Sequence, residues 1–136
     1  MKRTHSILVV SVLCCLALVS CIASEKPHTK ISPSKVEKSE VGLPTVTLTP
    51  DAEKRLGIEV TGIDQNTLPA SSILYDASGK NWVYVRLAPN QYQRQEITLR
   101  RIQGTAAVVE STLKAGSECV SIGAAELYGT EFGVGK

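Results

Sequence analysis

The chain has 136 residues, 15 lysines and arginines against 13 aspartates and glutamates, and a net charge of +2. That balance excludes the strongly basic surface by which proteins grip nucleic acid, and the length suits one small domain. Two histidines and a single methionine leave little material for histidine catalysis or thioether metal ligation.

Lys2 and Arg3 open a segment that is nearly all apolar from residue 7 to 19, the layout of a secretory signal. As a helix this run would span roughly 20 Å, short of the hydrocarbon core of a bilayer, so it is not expected to remain as a spanning helix. It ends in Leu18-Val19-Ser20-Cys21, which resembles the lipobox of bacterial lipoproteins. The resemblance implies a signal peptide over 1–20, lipid attachment at Cys21, and a membrane as partner. In the enterobacterial sorting pattern an Asp after the cysteine retains a lipoprotein at the inner membrane. Ile22 stands there and favours the outer membrane, with the inner membrane as the alternative. Loss of Lys2 and Arg3 brings the basic residues level with the acidic ones. Cys14 and Cys15 leave with the signal and Cys21 carries lipid, so Cys119 has no disulfide partner in the chain. It is expected as a small buried residue.

Residues 21–43 are rich in Ser, Lys, Glu and Pro and offer few large apolar side chains. They read as a flexible tether, because too little surface can be buried to offset the entropy of ordering. The folded domain is expected over 44–136. Thr45-Val46-Thr47-Leu48 alternates as a strand with Val46 and Leu48 on one face. Thr49 can cap a short helix, with Pro50 at its first position, Asp51 and Glu53 at its positive end, and Gly57 as its stop. Residues 58–61 predict a second strand.

From there the pattern is all-β. Asp76-Ala77-Ser78-Gly79-Lys80 forms a hairpin turn between strands at 73–75 and 82–85. Between 93 and 101 Ile97 and Leu99 face one side, while Arg94, Glu96, Thr98 and Arg100 face the other. Arg94, Arg100 and Arg101 are expected on a solvated face, and Trp82 in the core beside the hairpin. Gln103-Gly104 turns into a strand over 106–110, and Val120 and Ile122 form the inward face of the last strand. The expected fold class is all-β, a small β-roll or barrel-like domain with one short N-terminal helix behind the tether. Near the C-terminus Leu127, Tyr128 and Phe132 form an apolar cluster. It either contacts a partner or covers the open end of the core.

Little in the chain suggests an enzyme. His5 lies in the signal and His28 in the tether, so no histidine triad can form in the domain. No Cys/His pair has zinc-ligand spacing, and Gly129, Gly133 and Gly135 lack the companions of a phosphate loop. No metal and no cofactor are expected. Glu96 and Glu110 read as solvated carboxylates on strand faces.

Four segments carry a resemblance. They are Leu48-Thr49-Pro50-Asp51-Ala52-Glu53-Lys54-Arg55-Leu56-Gly57-Ile58, then the stretch 72–85, then 113–123, then the tail 124–133. In that order they resemble the flanking parts of periplasmic adaptor subunits, or membrane fusion proteins, of resistance-nodulation-division (RND) efflux pumps. The run 113–123 is similar to their L-x-x-G-x-x-V-V-x-x-G close. The resemblance covers most of 45–136 and implies the adaptors' membrane-proximal β-domain. The lipoyl-like domain and helical hairpin that full adaptors carry between these flanks are replaced by residues 63–70. It further implies a protein contact in transmembrane transport, with an inner-membrane RND pump or a separate hairpin-bearing adaptor as partner. The alternative is a structural or sensing envelope lipoprotein that keeps the fold without a pump.

Overall fold

The structure, a computed structural model, describes residues 32–38, 42–64, 66–110, 113 and 116–134. The chain divides into Met1–Ile31 and Ser32–Lys136. The signal peptide, Cys21 and the first part of the expected tether lie outside the described residues.

The described residues of the second unit form ten strands and two α-helices. The strands are β1 (Ser34–Glu37), β2 (Thr45–Leu48), β3 (Glu59–Gly62), β4 (Thr67–Pro69), β5 (Leu74–Tyr75), β6 (Asn81–Ala88), β7 (Gln91–Ile97), β8 (Leu99–Gln103), β9 (Ala106–Val109) and β10 (Glu118–Ile122). Helix α1 covers Pro50–Leu56, α2 covers Ala124–Glu131, and a 3₁₀ turn covers Ala70–Ser72. A seven-stranded antiparallel sheet runs β1-β2-β7-β6-β10-β3, with β5 also paired to β6. A three-stranded sheet runs β4-β9-β8. The expected all-β class holds, and neither sheet closes into a barrel.

Two cores lie on opposite faces of the large sheet. Between the sheets, Val83, Val85, Ile97 and Cys119 pack with Leu68, Ala107, Val109 and Leu113. On the other face Val46, Leu48, Tyr84, Tyr92 and Val120 pack with Ala52 of α1 and with Ala124 and Leu127 of α2. Strands β6 and β10 are thus buried on both sides. The apolar run Val83-Tyr84-Val85 has this cause: successive residues feed the two cores in turn.

Local chemistry fixes the shorter elements. Thr49 accepts the Ala52 N–H at 3.2 Å, and Gly57 ends α1 in the left-handed region at φ 64°. In the β5–β6 turn, Asp76 Oδ1 accepts from Ser78 N–H, Ser78 Oγ and Lys80 N–H at 2.7–2.9 Å. They add to two backbone bonds of the same turn, Asp76 N–H to Lys80 O and Gly79 N–H to Asp76 O, each at 3.0 Å.

Four expectations are corrected. The segment 21–43, expected as a tether, contains a strand, since Ser34–Glu37 pairs in register with β2, Val36 opposite Val46. An edge strand is held by its backbone bonds and by Val36, so its polar composition does not prevent it from pairing. A second helix, α2, occupies the tail. Ile122 is not inward: a bulge between Val120 and Ile122 shifts the register against β3 and leaves it 51% exposed. Arg94 is not on a solvated face, for its side chain is only 12% exposed.

Candidate functional site

Chemistry-bearing side chains gather where α2 meets the large sheet. Trp82, Tyr84, Arg94 and Glu96 share the helix-facing side of the β6–β7 ladder, with Tyr84 directly opposite Arg94. From α2, Glu131 reaches down to both. Its Oε1 lies 2.9 Å from Arg94 Nε, and its Oε2 accepts the Tyr84 hydroxyl at 2.5 Å. The Nε–H is not directed at a hydrogen-bond acceptor, so the Arg94–Glu131 contact is an ion pair held by charge. The Glu131 side chain is 2% exposed, and at that burial Coulomb attraction is weakly screened.

Aromatic rings surround the cation. The Arg94 guanidinium carbon sits 4.5 Å from the Trp82 ring centre, 5.0 Å from Phe132 and 5.8 Å from Tyr128. Tyr128 and Phe132 touch each other with centroids 4.6 Å apart. Ring quadrupoles partly replace the hydration that Arg94 has lost. The Trp82 indole N–H donates to Asp76 Oδ2 at 2.9 Å, which joins the hairpin turn to the same cluster. Together with the Ser78 hydroxyl, first in effect, this bond holds the Asp76 carboxyl well below the usual carboxylate range. Burial, reinforced by the bond to Glu131, raises Tyr84 well above the usual tyrosine value.

The three C-terminal candidates separate. Leu127 is fully buried and belongs to the core under α2, so it is not available at the surface. Tyr128 is half-buried against that core and stacks on Phe132. Only Phe132, 53% exposed, presents a large apolar face to solvent, joined there by Val134 at 76%. Trp82 is 8% exposed, as a core residue beside the hairpin should be.

A matching contact anchors α1. Glu53 accepts from the Tyr92 hydroxyl and from Asn90 Nδ2, the latter at 2.5 Å. Asn90 stands at the β6–β7 turn with φ 62°, and its carbonyl accepts the Leu48 N–H at 2.9 Å. Each helix therefore hands one glutamate to one buried tyrosine of the sheet. Neither glutamate was singled out as a structural anchor from sequence; only their partners' positions on the helix-facing side of the ladder reveal them.

Cys119 is fully buried, with Sγ 3.6 Å from Ser72 Oγ, and burial pushes its thiol up. Such a thiol is a poor nucleophile. Among the described residues no group of three His, Cys, Asp or Glu is placed to hold a metal ion, and no helix is long and apolar enough to cross a membrane. Cys21 lies outside the described residues. The arrangement ties α2 to the sheet through the one Glu131 carboxylate, which meets both Tyr84 and Arg94.

No protein-family model matches the chain, and neither a curated protein nor a solved structure is significantly similar to it.

Proposed function

We propose that this protein is a lipid-anchored, non-enzymatic β-domain of the bacterial cell envelope, an accessory or truncated adaptor of an RND-type efflux system acting by protein contact. One observation supports this above others. The four segments that resemble adaptor sequences meet in one layer: 48–58 supplies α1, 72–85 supplies β5 and β6, 113–123 supplies β10, and the tail supplies α2. Their apolar residues Leu48, Tyr84, Val120 and Leu127 share a single core.

The link between the flanks also bears on the reading. Strand β3 ends at Gly62 and β4 begins at Thr67, with Asp64 bridged to Thr67. Full adaptors insert their lipoyl-like domain and hairpin in this interval. A domain without them has no arm toward an outer-membrane channel. Its partner in the proposal is therefore the inner-membrane pump or a separate hairpin-bearing adaptor.

Co-purification of the tagged full chain in mild detergent tests the proposal. Recovery of an RND pump subunit or of a hairpin-bearing adaptor is the expected result. Recovery of the chain alone, or only with envelope proteins unrelated to efflux, would replace it with a structural or sensing lipoprotein.

A further inference from the structure

We infer that the open edge of β1 pairs with the same edge of a second copy of this chain, joining the two large sheets into one.

Strand β1 is the last strand of the large sheet, and among the described residues no strand pairs with its outer side. The register against β2 shows which backbone groups face outward. Pro33 O accepts the Thr49 N–H at 3.0 Å, and Lys35 and Glu37 stand opposite Thr47 and Thr45. Backbone direction alternates along a strand, so 33, 35 and 37 bond to β2 while Ser34 and Val36 point their N–H and carbonyl groups away from it. Ser34 O accepts the Ser32 hydroxyl at 2.8 Å. The Val36 N–H and carbonyl are left for another strand.

Charge selects the occupant. Lys35 and Glu37 lie on one face of β1, both exposed, with Lys35 Nζ 2.8 Å from Glu37 Oε1. A lysine alone on an edge strand opposes further pairing. Here a carboxylate stands two residues on. An antiparallel second copy of β1, related by a two-fold axis beside Val36, sets Val36 opposite Val36 as a hydrogen-bonded pair. Lys35 then stands opposite Glu37 of the second copy, and Glu37 opposite Lys35. These are non-hydrogen-bonded positions, where side chains approach most closely and opposite charges attract across the strands. The four charges alternate in sign around a square, and such a network holds better than one exposed pair.

The other open edges do not complement themselves. Strand β3 carries one charged residue, Glu59. Strand β4 has three residues and ends in Pro69, which lacks an N–H, and β5 has only two residues. Strand β8 carries Arg100 and Arg101, like charges that self-pairing would bring together, and a bulge between Leu99 and Arg101 blunts it. An edge of four residues is short for a stable interface, so the β1 dimer is weak and reversible.

Sedimentation equilibrium of the full chain in mild detergent, with micelles in excess, tests this. The expected result is a monomer–dimer equilibrium that Lys35→Glu or Glu37→Lys alone weakens about tenfold or more. Mixing those two variants restores dimers, because every cross-strand pair is again of opposite sign. The double exchange within one chain restores them for the same reason, and Arg101→Glu on β8 leaves the equilibrium unchanged. A chain that stays monomeric at hundreds of micromolar overturns the inference. So does a dimer that the single variants leave intact, or one that their mixture fails to restore.

Discussion

Tyr84, at the centre of the large sheet, donates its hydroxyl to Glu131 in the last turn of α2. Tyr92 makes the equivalent bond to Glu53 of α1. Both tyrosines are fully buried, and each docks one helix on one face of the sheet. The Tyr84 bond is joined by Arg94, whose side chain is 12% exposed and pairs with the same carboxylate.

Removing that carboxylate strands a buried cation. Glu131→Ala is expected to cost about 3–5 kcal/mol, the usual range for breaking a buried pair from one side. Urea unfolding of single and double variants checks this. Arg94→Met combined with Glu131→Leu should cost less than the two single changes added together. Additive losses would mean that the pair is not coupled.

Alkaline stability follows from the two tyrosines. Burial first, and the bonded carboxylates second, raise Tyr84 and Tyr92 above the usual value of about 10. Above that pH the unfolded chain releases these protons and the folded chain keeps them, so the unfolded state gains. Stability is complete below about pH 10 and falls as pH rises beyond it. Tyrosinate absorbance recorded with circular dichroism should show two of the four tyrosines ionising only as the fold is lost. Tyr84→Phe or Tyr92→Phe should flatten the alkaline limb. Ionisation of all four before unfolding would contradict this.

Gly123 joins β10 to α2 at φ 88°, and a Cβ there would lie 2.4 Å from Ile58 Cδ1. Gly104 has φ 62° and open space around it. Gly104→Ala should cost about 1–2 kcal/mol for the left-handed backbone alone. Gly123→Ala adds overpacking against Ile58 and should cost about 1–3 kcal/mol more. Equal midpoints in thermal or urea unfolding would contradict the packing of β10 into α2.

The strand register from 93 to 101 gives a sharper contrast. Ile97 is 4% exposed between the sheets, whereas Arg100 is exposed. Ile97→Asp places an unpaired charge in the core and should abolish folding, as read by circular dichroism. Arg100→Ala should stay within about 0.5 kcal/mol of the parent. Comparable stability of the two would refute the register.

Signals carried by neighbouring residues were legible in the sequence. Thr49, Pro50 and Gly57 bound α1 as their side chains require, and Asp76 organises its own turn. Ile97 and Leu99 both pack toward the inter-sheet core, as their spacing predicts. What escaped depends on distant partners. Helix α2 lacks a side-chain cap, contains Gly129, and buries only Ala124 and Leu127, too narrow a stripe to read as helical periodicity. Strand β1 is polar because it lies at an edge, and the bulge that turns Ile122 outward arises from its pairing with Glu59. Arg94 looked solvated because the carboxylate and two of the rings that enclose it come from the C-terminal segment, far along the chain.

The functional account depends most on Cys21, and intact-mass and peptide analysis of the protein extracted from cell membranes tests it directly. The account predicts a mature chain that begins at Cys21 and carries a thioether-linked diacylglycerol there. A Cys21→Ala chain should be unprocessed at that site and lack the lipid mass. A mature protein that begins elsewhere, or whose Cys21 is an unmodified thiol, would contradict the anchor.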